Sequence, residues 1–243
     1  MKQLLTVVSR RTVAQGATEL VCRFEQPQII APGRFMHLRV GPLLRRPISI
    51  ARVDHDLITF LFKEIGQGTA ELASLRPNDT IDALGPLGNG FPIAAIHPTQ
   101  RVVLVGGGIG VPPLYETMRQ LVARGVTCEA ILGFDTATSV FYEAEFQALG
   151  KTTVTTVDGT HGTTGFVTVA LRPESYDVLL ACGPEPMLRT LQQQPIEHKY
   201  LSIENRMGCG IGACFACVCK TPTGGYVKTC SDGPVFRAEE VVL

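Results

Sequence analysis

The sequence predicts a multidomain β plus α/β protein: an antiparallel β-barrel, a parallel-sheet domain, and a small cysteine-rich module at the C-terminal end. Three observations predict it. Short β-like runs separated by turn residues fill the chain up to about residue 97, strand and helix patterns alternate from there to about 203, and five of the eight cysteines fall between 209 and 230. The boundaries expected on this reading are 1–97, 98–203 and 204–243. A chain of 243 residues has room for such a division, because single cores rarely grow past a few hundred residues.

In the first region the runs LLTVVS, ELVCRF, FMHLRV, ISIARV, LITFLFK and TIDAL are broken by PQIIAPG, GPLLRRP and RPND. Evenly spaced short strands without a helical period predict a closed barrel. From residue 101 the grammar changes. RVVLVGGGIGVPPLYETMRQLVARG reads as a buried strand, a glycine turn and an amphipathic helix; CEAILGF, TTVTTV, YDVLLACGP and KYLSIE read as strands, with SVFYEAEFQAL and PEPMLRTLQQQ as helices between them. That alternation predicts parallel βα units with right-handed crossovers and a doubly wound sheet. From about 204 the chain is rich in glycine and cysteine with little periodicity, so a bound inorganic centre is expected to organise it.

Lys plus Arg and Asp plus Glu number 22 each, which leaves no net field to draw the chain to nucleic acid or acidic lipid. The opening MKQLLTVVSRRTV has too short an apolar run for a signal peptide, and no stretch approaches the roughly 18 apolar residues of a membrane span. A cytoplasmic chain is expected, and in that reducing compartment clustered cysteines bind metal or do redox work more often than they pair as disulfides.

The spacing Cys209-x4-Cys214-x2-Cys217, with Cys230 beyond, is that of a plant-type 2Fe-2S site. Gly208, Gly210 and Gly212 allow the backbone to wrap a cluster and aim N–H groups at its sulfurs. A structural zinc site is the alternative, although zinc usually takes two CxxC or CxxH knuckles on separate turns. Cys219 is surplus. If FACVCKT runs extended, Cys217 and Cys219 share a face, and distance along the strand excludes Cys219. Cys22 and Cys128 sit in apolar strand patterns and read as core residues.

Two further segments carry chemistry. In LLRRPISIA, Arg45 and Arg46 precede Pro47, Ile48 and Ser49, and in FKEIGQGTAELASL the residues Gly66, Gly68 and Thr69 precede a short helix, ELASL. A phosphate at the start of that helix would be neutralised by Arg46. The turn VGGGIGV lacks a third fingerprint glycine, having Val111 there, so alone it is a weak dinucleotide signal. Among His37, His55, His97, His161 and His198 none pairs with a nucleophile, and no catalytic acid or base is expected.

Taken together these segments resemble the ferredoxin reductase superfamily. The resemblance implies an FAD site at Arg46, Pro47, Ile48, Ser49, Phe62, Lys63, Glu64, Gly68 and Thr69, with Ile48 where many members have an aromatic residue. It implies a nicotinamide site at Gly106, Gly108, Gly110, Cys182, Gly183 and Pro184, the last three within ACGPEPML, with Cys182 at the position that approaches the nicotinamide. It also selects Cys209, Cys214, Cys217 and Cys230 as ligands of the cluster. NAD exchanges electrons in pairs as hydride, a 2Fe-2S cluster takes them singly, and FAD does both, so a chain with these three sites and no substrate pocket is an electron wire.

LLRRPISIA, GPLGNGFP, VGGGIGVPPLYE, GFDTATSVFY, ACGPEPML and above all ENRMGCGIGACFACVCK make the whole chain similar to the electron-transfer subunits of type B dihydroorotate dehydrogenases, which serve pyrimidine biosynthesis. That implies a partner, an FMN-containing catalytic subunit joined in a heterotetramer, and electron flow from its FMN through the cluster and FAD to NAD. The alternatives are the small subunit of a ferredoxin:NADP oxidoreductase or soluble hydrogenase, or a zinc-organised binding module.

Overall fold

The computed structural model describes residues 2–243. Six strands, β1 (Lys2–Ala14), β2 (Ala17–Phe24), β3 (Phe35–Val40), β4 (Leu44–Asp54), β5 (Leu57–Lys63) and β6 (Thr80–Leu87), close into a barrel in the order β1-β2-β5-β4-β3-β6 with every neighbouring pair antiparallel. The period of two in these strands divides their side chains. Met36, Leu38 and Val40 point inward with Leu20, Ile50 and Phe60. Phe35 and His37 face outward, yet both are buried, because the C-terminal segment covers that side of β3.

One helix, α1 (Gln67–Ser74), caps the barrel. It begins four residues before the ELASL run, so Gly68 and Thr69 lie inside its first turn instead of ahead of it. Gly66 is the cap, and the Thr69 hydroxyl accepts N–H bonds from Ile65 and Gly66 at 3.1 and 3.3 Å. A side chain that satisfies the cap in this way allows a helix to start in a glycine-rich stretch of low propensity.

The second unit contains β7 (Arg101–Gly107), α2 (Pro112–Ala123), β8 (Thr127–Phe134), α3 (Glu143–Gln147), β9 (Thr152–Thr156), β10 (Thr163–Thr164), β11 (Val178–Cys182), α4 (Glu185–Gln192) and β12 (His198–Ser202). Its strands run parallel in the order β10-β9-β8-β7-β11-β12. The helix expected over SVFYEAEFQAL shrinks to α3, because Tyr142 adopts a left-handed φ of 62° immediately before it. The third segment adds the hairpin β13 (Val218–Lys220) and β14 (Tyr226–Lys228), and then β15 (Val235–Arg237). This last strand joins the parallel sheet as an antiparallel edge on β12, with Leu201 opposite Phe236, so the sheet is mixed.

Barrel and sheet share a core in which Ala17, Ala51 and Leu61 pack with Leu114, Tyr115 and Phe146. A buried polar network pins the same seam. The Tyr142 hydroxyl donates to Glu19 Oε2 at 2.6 Å, and Arg11 Nε donates to Glu19 Oε1 at 2.5 Å. Burial of Glu19 opposes its ionisation, but the bonds from Arg11 and Tyr142 outweigh this and hold its carboxyl below the usual range. Nearby, Arg119 on α2 bonds Asp54 on β4 at 2.8 Å.

Replacing Tyr142 by Phe is therefore expected to cost about 1.5–3 kcal/mol, the worth of a hydrogen bond to a charged acceptor. A group whose folded pKa is depressed contributes its stability above its ordinary pKa and loses it as pH falls through the folded value. The gap between wild type and Tyr142→Phe should accordingly narrow in acid, as read from denaturant midpoints at pH 7 and below pH 4.

Candidate functional site

In the strand order of the sheet, β7 and β11 are the neighbours between which the chain reverses direction of travel, and ligands of open α/β sheets bind at the carboxyl ends of such a pair. Gly106 lies opposite Cys182 there. Behind it, a Cβ on Gly110 would collide with the backbone of Cys182 and Gly183, and one on Gly107 would sit 2.9 Å from Pro184. The two glycine segments thus meet as one floor. Val111 stands where a third fingerprint glycine would be, fully buried, and its side chain fills the space over Gly106. Pro112 and Pro113 open α2, so the first positions of this helix offer no N–H to a phosphate. The usual dinucleotide cradle is absent for a physical reason.

Cys182 is 1% exposed, and its thiol is pushed up, first by burial and then by the Glu204 carboxylate. Glu204 is an exposed residue, yet the protein packed around its carboxyl limits hydration and raises it as well. The sequence reading did not single out Glu204; it lies just past β12 in a segment whose cysteines draw attention away.

Across the seam is the barrel's own site. Arg46 leans on the first turn of α1, where a Cβ on Gly68 would lie 3.0 Å from Arg46 Nε and from Val40. This closeness gives the helix start a cation beside its free N–H groups, a cradle suited to a diphosphate. Arg46 has no carboxylate partner among the described residues. Arg45 differs: it donates to Asp82 Oδ1 at 2.6 Å and to the carbonyls of Asp82 and His37 at 3.0 and 3.1 Å, tying β4 to β3 and β6. Pro47 and Ser49 lie opposite His37 and Phe35 on β3, and Ile48 is buried in the barrel core. Phe62 is also buried in that core; Glu64 accepts from Thr18 at 2.6 Å, and Lys63 reaches toward Gly108 in the glycine floor. The two sites therefore face one another.

The third site is built by backbone amides. In the loop after Gly208 the N–H groups of Ile211, Ala213 and Cys214 donate to Cys209 Sγ at 3.5, 3.2 and 3.4 Å, Cys209 donates to Cys214 Sγ at 3.4 Å, and Gly212 donates to Cys230 Sγ at 3.2 Å. Gly210 and Gly212 take left-handed φ values of 73° and 80° to make this wrap. Its effect on the thiols is direct: Cys209 is pulled down to about 6, led by the Ile211 N–H. Cys209 interacts with Cys214, and Cys230 with both Cys217 and Cys209, so the four thiols form one group. A group of thiols with backbone N–H donors aimed at its sulfurs suits an iron-sulfur centre.

Cys219 lies elsewhere, and for a reason other than distance alone. Cys217 precedes β13 and packs with Phe35 and Cys230, whereas Cys219 is inside β13 and packs toward the core of the sheet. Its thiol meets Asn205 Nδ2 at 3.7 Å and Thr229 Oγ1 at 3.4 Å. Cys22 and Cys128 lie in the two cores, and burial pushes each up to about 12.

The module is held against the barrel by Asn89, whose side chain donates to the carbonyls of Ser231 and Asp232 at 3.3 and 3.0 Å and whose N–H donates to Gly233 at 2.5 Å. Phe35 thus touches Cys217 and Cys230 while lying opposite Ser49 on the neighbouring strand. Sequence reading missed Phe35 and Asn89. The available signal was Phe35 itself, an apolar residue on the outward face of FMHLRV, as a strand covered on both sides can carry.

Comparison with known proteins matches this layout. Residues 204–242 match the iron-sulfur cluster binding domain of dihydroorotate dehydrogenase B, and residues 104–193 match the oxidoreductase NAD-binding domain. The chain is 52% identical over 254 residues to the dihydroorotate dehydrogenase B (NAD(+)) electron transfer subunit of Geobacillus kaustophilus, with 100% of this chain and 99% of that one covered. To the same subunit of Bacillus velezensis it is 50% identical over 255 residues, with the same coverage. Among solved structures, the NADH-dependent reduced ferredoxin-NADP oxidoreductase, studied for flavin-based electron bifurcation, aligns with a TM-score of 0.87 at 29% identity over 98% of this chain and 89% of that one. The cytochrome b5 reductase domain of Ulva prolifera nitrate reductase shares the fold, with a TM-score of 0.62 at 18% identity over 77% of this chain and 89% of that domain.

The two adjacent arginines should separate in experiment. Arg46→Ala is expected to lower the flavin content of the purified protein more than Arg45→Ala, and Arg45→Ala to lower the melting temperature more than Arg46→Ala. Equal flavin content in both would count against Arg46 as the phosphate-binding cation.

Proposed function

The chain belongs to the electron-transfer subunits of NAD-dependent dihydroorotate dehydrogenase B, and we propose that it conducts electrons from the FMN of a dihydroorotate-oxidising partner subunit, through a 2Fe-2S cluster and FAD, to NAD. The observation that carries this reading is the contact of Phe35 with Cys217 and Cys230 on one side and its pairing with Ser49 on the other, which leaves one side chain between the thiol cluster and the flavin strand. Oxidation of dihydroorotate to orotate releases two electrons, and NAD takes them as one hydride; FAD, when bound, supplies the exchange between paired and single electrons.

We assign Cys209, Cys214, Cys217 and Cys230 as cluster ligands, the first two to one iron and the last two to the other. Arg46 and the start of α1 hold the FAD diphosphate, with Gly68 and Thr69 in its first turn; Pro47, Ser49, Lys63 and Glu64 line the rest of the flavin site, and Ile48 and Phe62 support it from the barrel core. Gly106, Gly108, Gly110, Cys182, Gly183 and Pro184 form the floor for the nicotinamide, and their small size lets the two loop segments pack closely enough to make one surface. Glu204, beside Cys182, adds negative charge at that floor where a hydride donor or acceptor would sit. The partner is an FMN-containing catalytic subunit, two copies of each chain forming a heterotetramer, and its own residues carry the acid-base step.

The site of operation in this reading is the cytoplasm. It is supported by the eight cysteines, all free thiols.

Two outcomes follow. The isolated chain is expected to oxidise NADH with an artificial electron acceptor and to show flavin bands with broad iron-sulfur absorbance, yet to leave dihydroorotate untouched; turnover of dihydroorotate by the pure, FMN-free chain would sink the assignment. For the ligands, Cys219→Ser should keep two irons per chain and the paramagnetic signal of the reduced state, while Cys217→Ser should lose or grossly alter it. Iron analysis with electron paramagnetic resonance decides, and loss of iron only in the Cys219 variant would reverse the assignment.

A further inference from the structure

Of the buried side-chain nitrogen and oxygen atoms that lack a hydrogen-bond partner among the described residues, two belong to one ring, Nδ1 and Nε2 of His37. The side chain is 0% exposed. Burial, reinforced by the Arg45 guanidinium, lowers its pKa to about 4, so the ring is neutral and carries one N–H donor. A buried donor with no acceptor is costly, and native proteins seldom leave one without a water, an ion or a ligand to receive it.

The surroundings narrow the acceptor. His37 is on the outward face of β3, beside Phe35 at a ring separation of 6.0 Å, and Phe35 touches Cys217 and Cys230. Opposite His37 stands Gly210, so near that a Cβ there would lie 2.8 Å from Nδ1 and 2.9 Å from Cε1. Gly210 is also the gap in the ring of amide donors. The N–H groups of residues 209, 211, 212, 213 and 214 all point at cysteine sulfur, and among residues 209–214 that of Gly210 alone does not. The imidazole therefore stands against the one residue of the wrap whose N–H reaches no cysteine sulfur. Its own backbone is fixed, because Arg45 donates to the His37 carbonyl at 3.1 Å and Pro47, directly across the strand pair, has no N–H to compete.

We propose that His37 is a hydrogen-bond donor to the 2Fe-2S cluster: its ring N–H donates to a sulfur of the bound centre and raises the cluster's reduction potential. The proposal rests on the assignment of a cluster to Cys209, Cys214, Cys217 and Cys230. A donor aimed at sulfur stabilises the reduced, more negative state, as hydrogen bonds to cluster sulfurs do in general. Gly210 is then needed for two reasons, its left-handed φ and the room it leaves for the ring.

The test uses the full chain with its cofactors. In protein labelled with 15N-histidine, the reduced cluster is expected to show a 15N hyperfine coupling by pulsed electron paramagnetic resonance, and His37→Phe should abolish it. In a redox titration, His37→Phe should keep two irons per chain and shift the cluster couple downward, and His37→Asn, which restores a donor, should recover part of the shift. Absence of a histidine 15N coupling in the wild-type cluster, or an unmoved cluster couple in iron-replete His37→Phe, would overturn the proposal. A change confined to the flavin couple would overturn it too, by placing the acceptor on the flavin. If His37→Phe fails to retain iron, the coupling in the wild-type protein decides alone. Wild-type protein lacking iron altogether would instead refute the cluster assignment on which the proposal stands.

Discussion

Five backbone N–H groups turned onto three cysteine sulfurs shape the end of this chain, and the remaining architecture serves to keep them there. Thiolates crowded together repel, and a loop of glycines has no side chains with which to build a core. What holds such a loop is directed N–H donation, which stabilises negative sulfur, together with anchors on either side. Those anchors come from both other units: Asn89 in the barrel grips the turn at 231–233, and β15 docks on β12 in the sheet.

The same logic explains the seam between barrel and sheet. Hydride transfer requires flavin and nicotinamide to meet face to face, so two separately wound units must keep a fixed relation. The Arg11, Glu19 and Tyr142 network and the Arg119 to Asp54 ion pair fix it where apolar packing alone could slide. Tyr142 reaches Glu19 only because its left-handed backbone breaks the helix that the surrounding residues would otherwise favour. Local helical propensity is sacrificed to a contact more than a hundred residues away in sequence.

This trade-off also marks what could be read from the sequence. All six barrel strands and the five principal parallel strands were legible, because their apolar periods are local and their turns are rich in glycine and proline. The cysteine spacing was legible because ligand geometry imposes it directly on the chain. What stayed hidden depended on distant partners. Tyr142 in SVFYEAEFQAL and Thr69 in GQGTAEL override propensity by bonds that no window reveals, β15 returns to the sheet antiparallel from a segment only three residues long, and His37 looks like any residue on an alternating strand until Gly210 is set against it. The direction of Cys219 was hidden likewise, since strand alternation says nothing of where a strand begins.

The docking of β15 on β12 makes the edge of the nucleotide sheet and the thiolate loop one cooperative unit. Any species that binds only the ordered arrangement of residues 209–230 stabilises that arrangement by mass action, and with it the paired state of the sheet edge. One short antiparallel strand, β15 on β12, thus carries the mechanical link between the sheet edge and the cysteine loop.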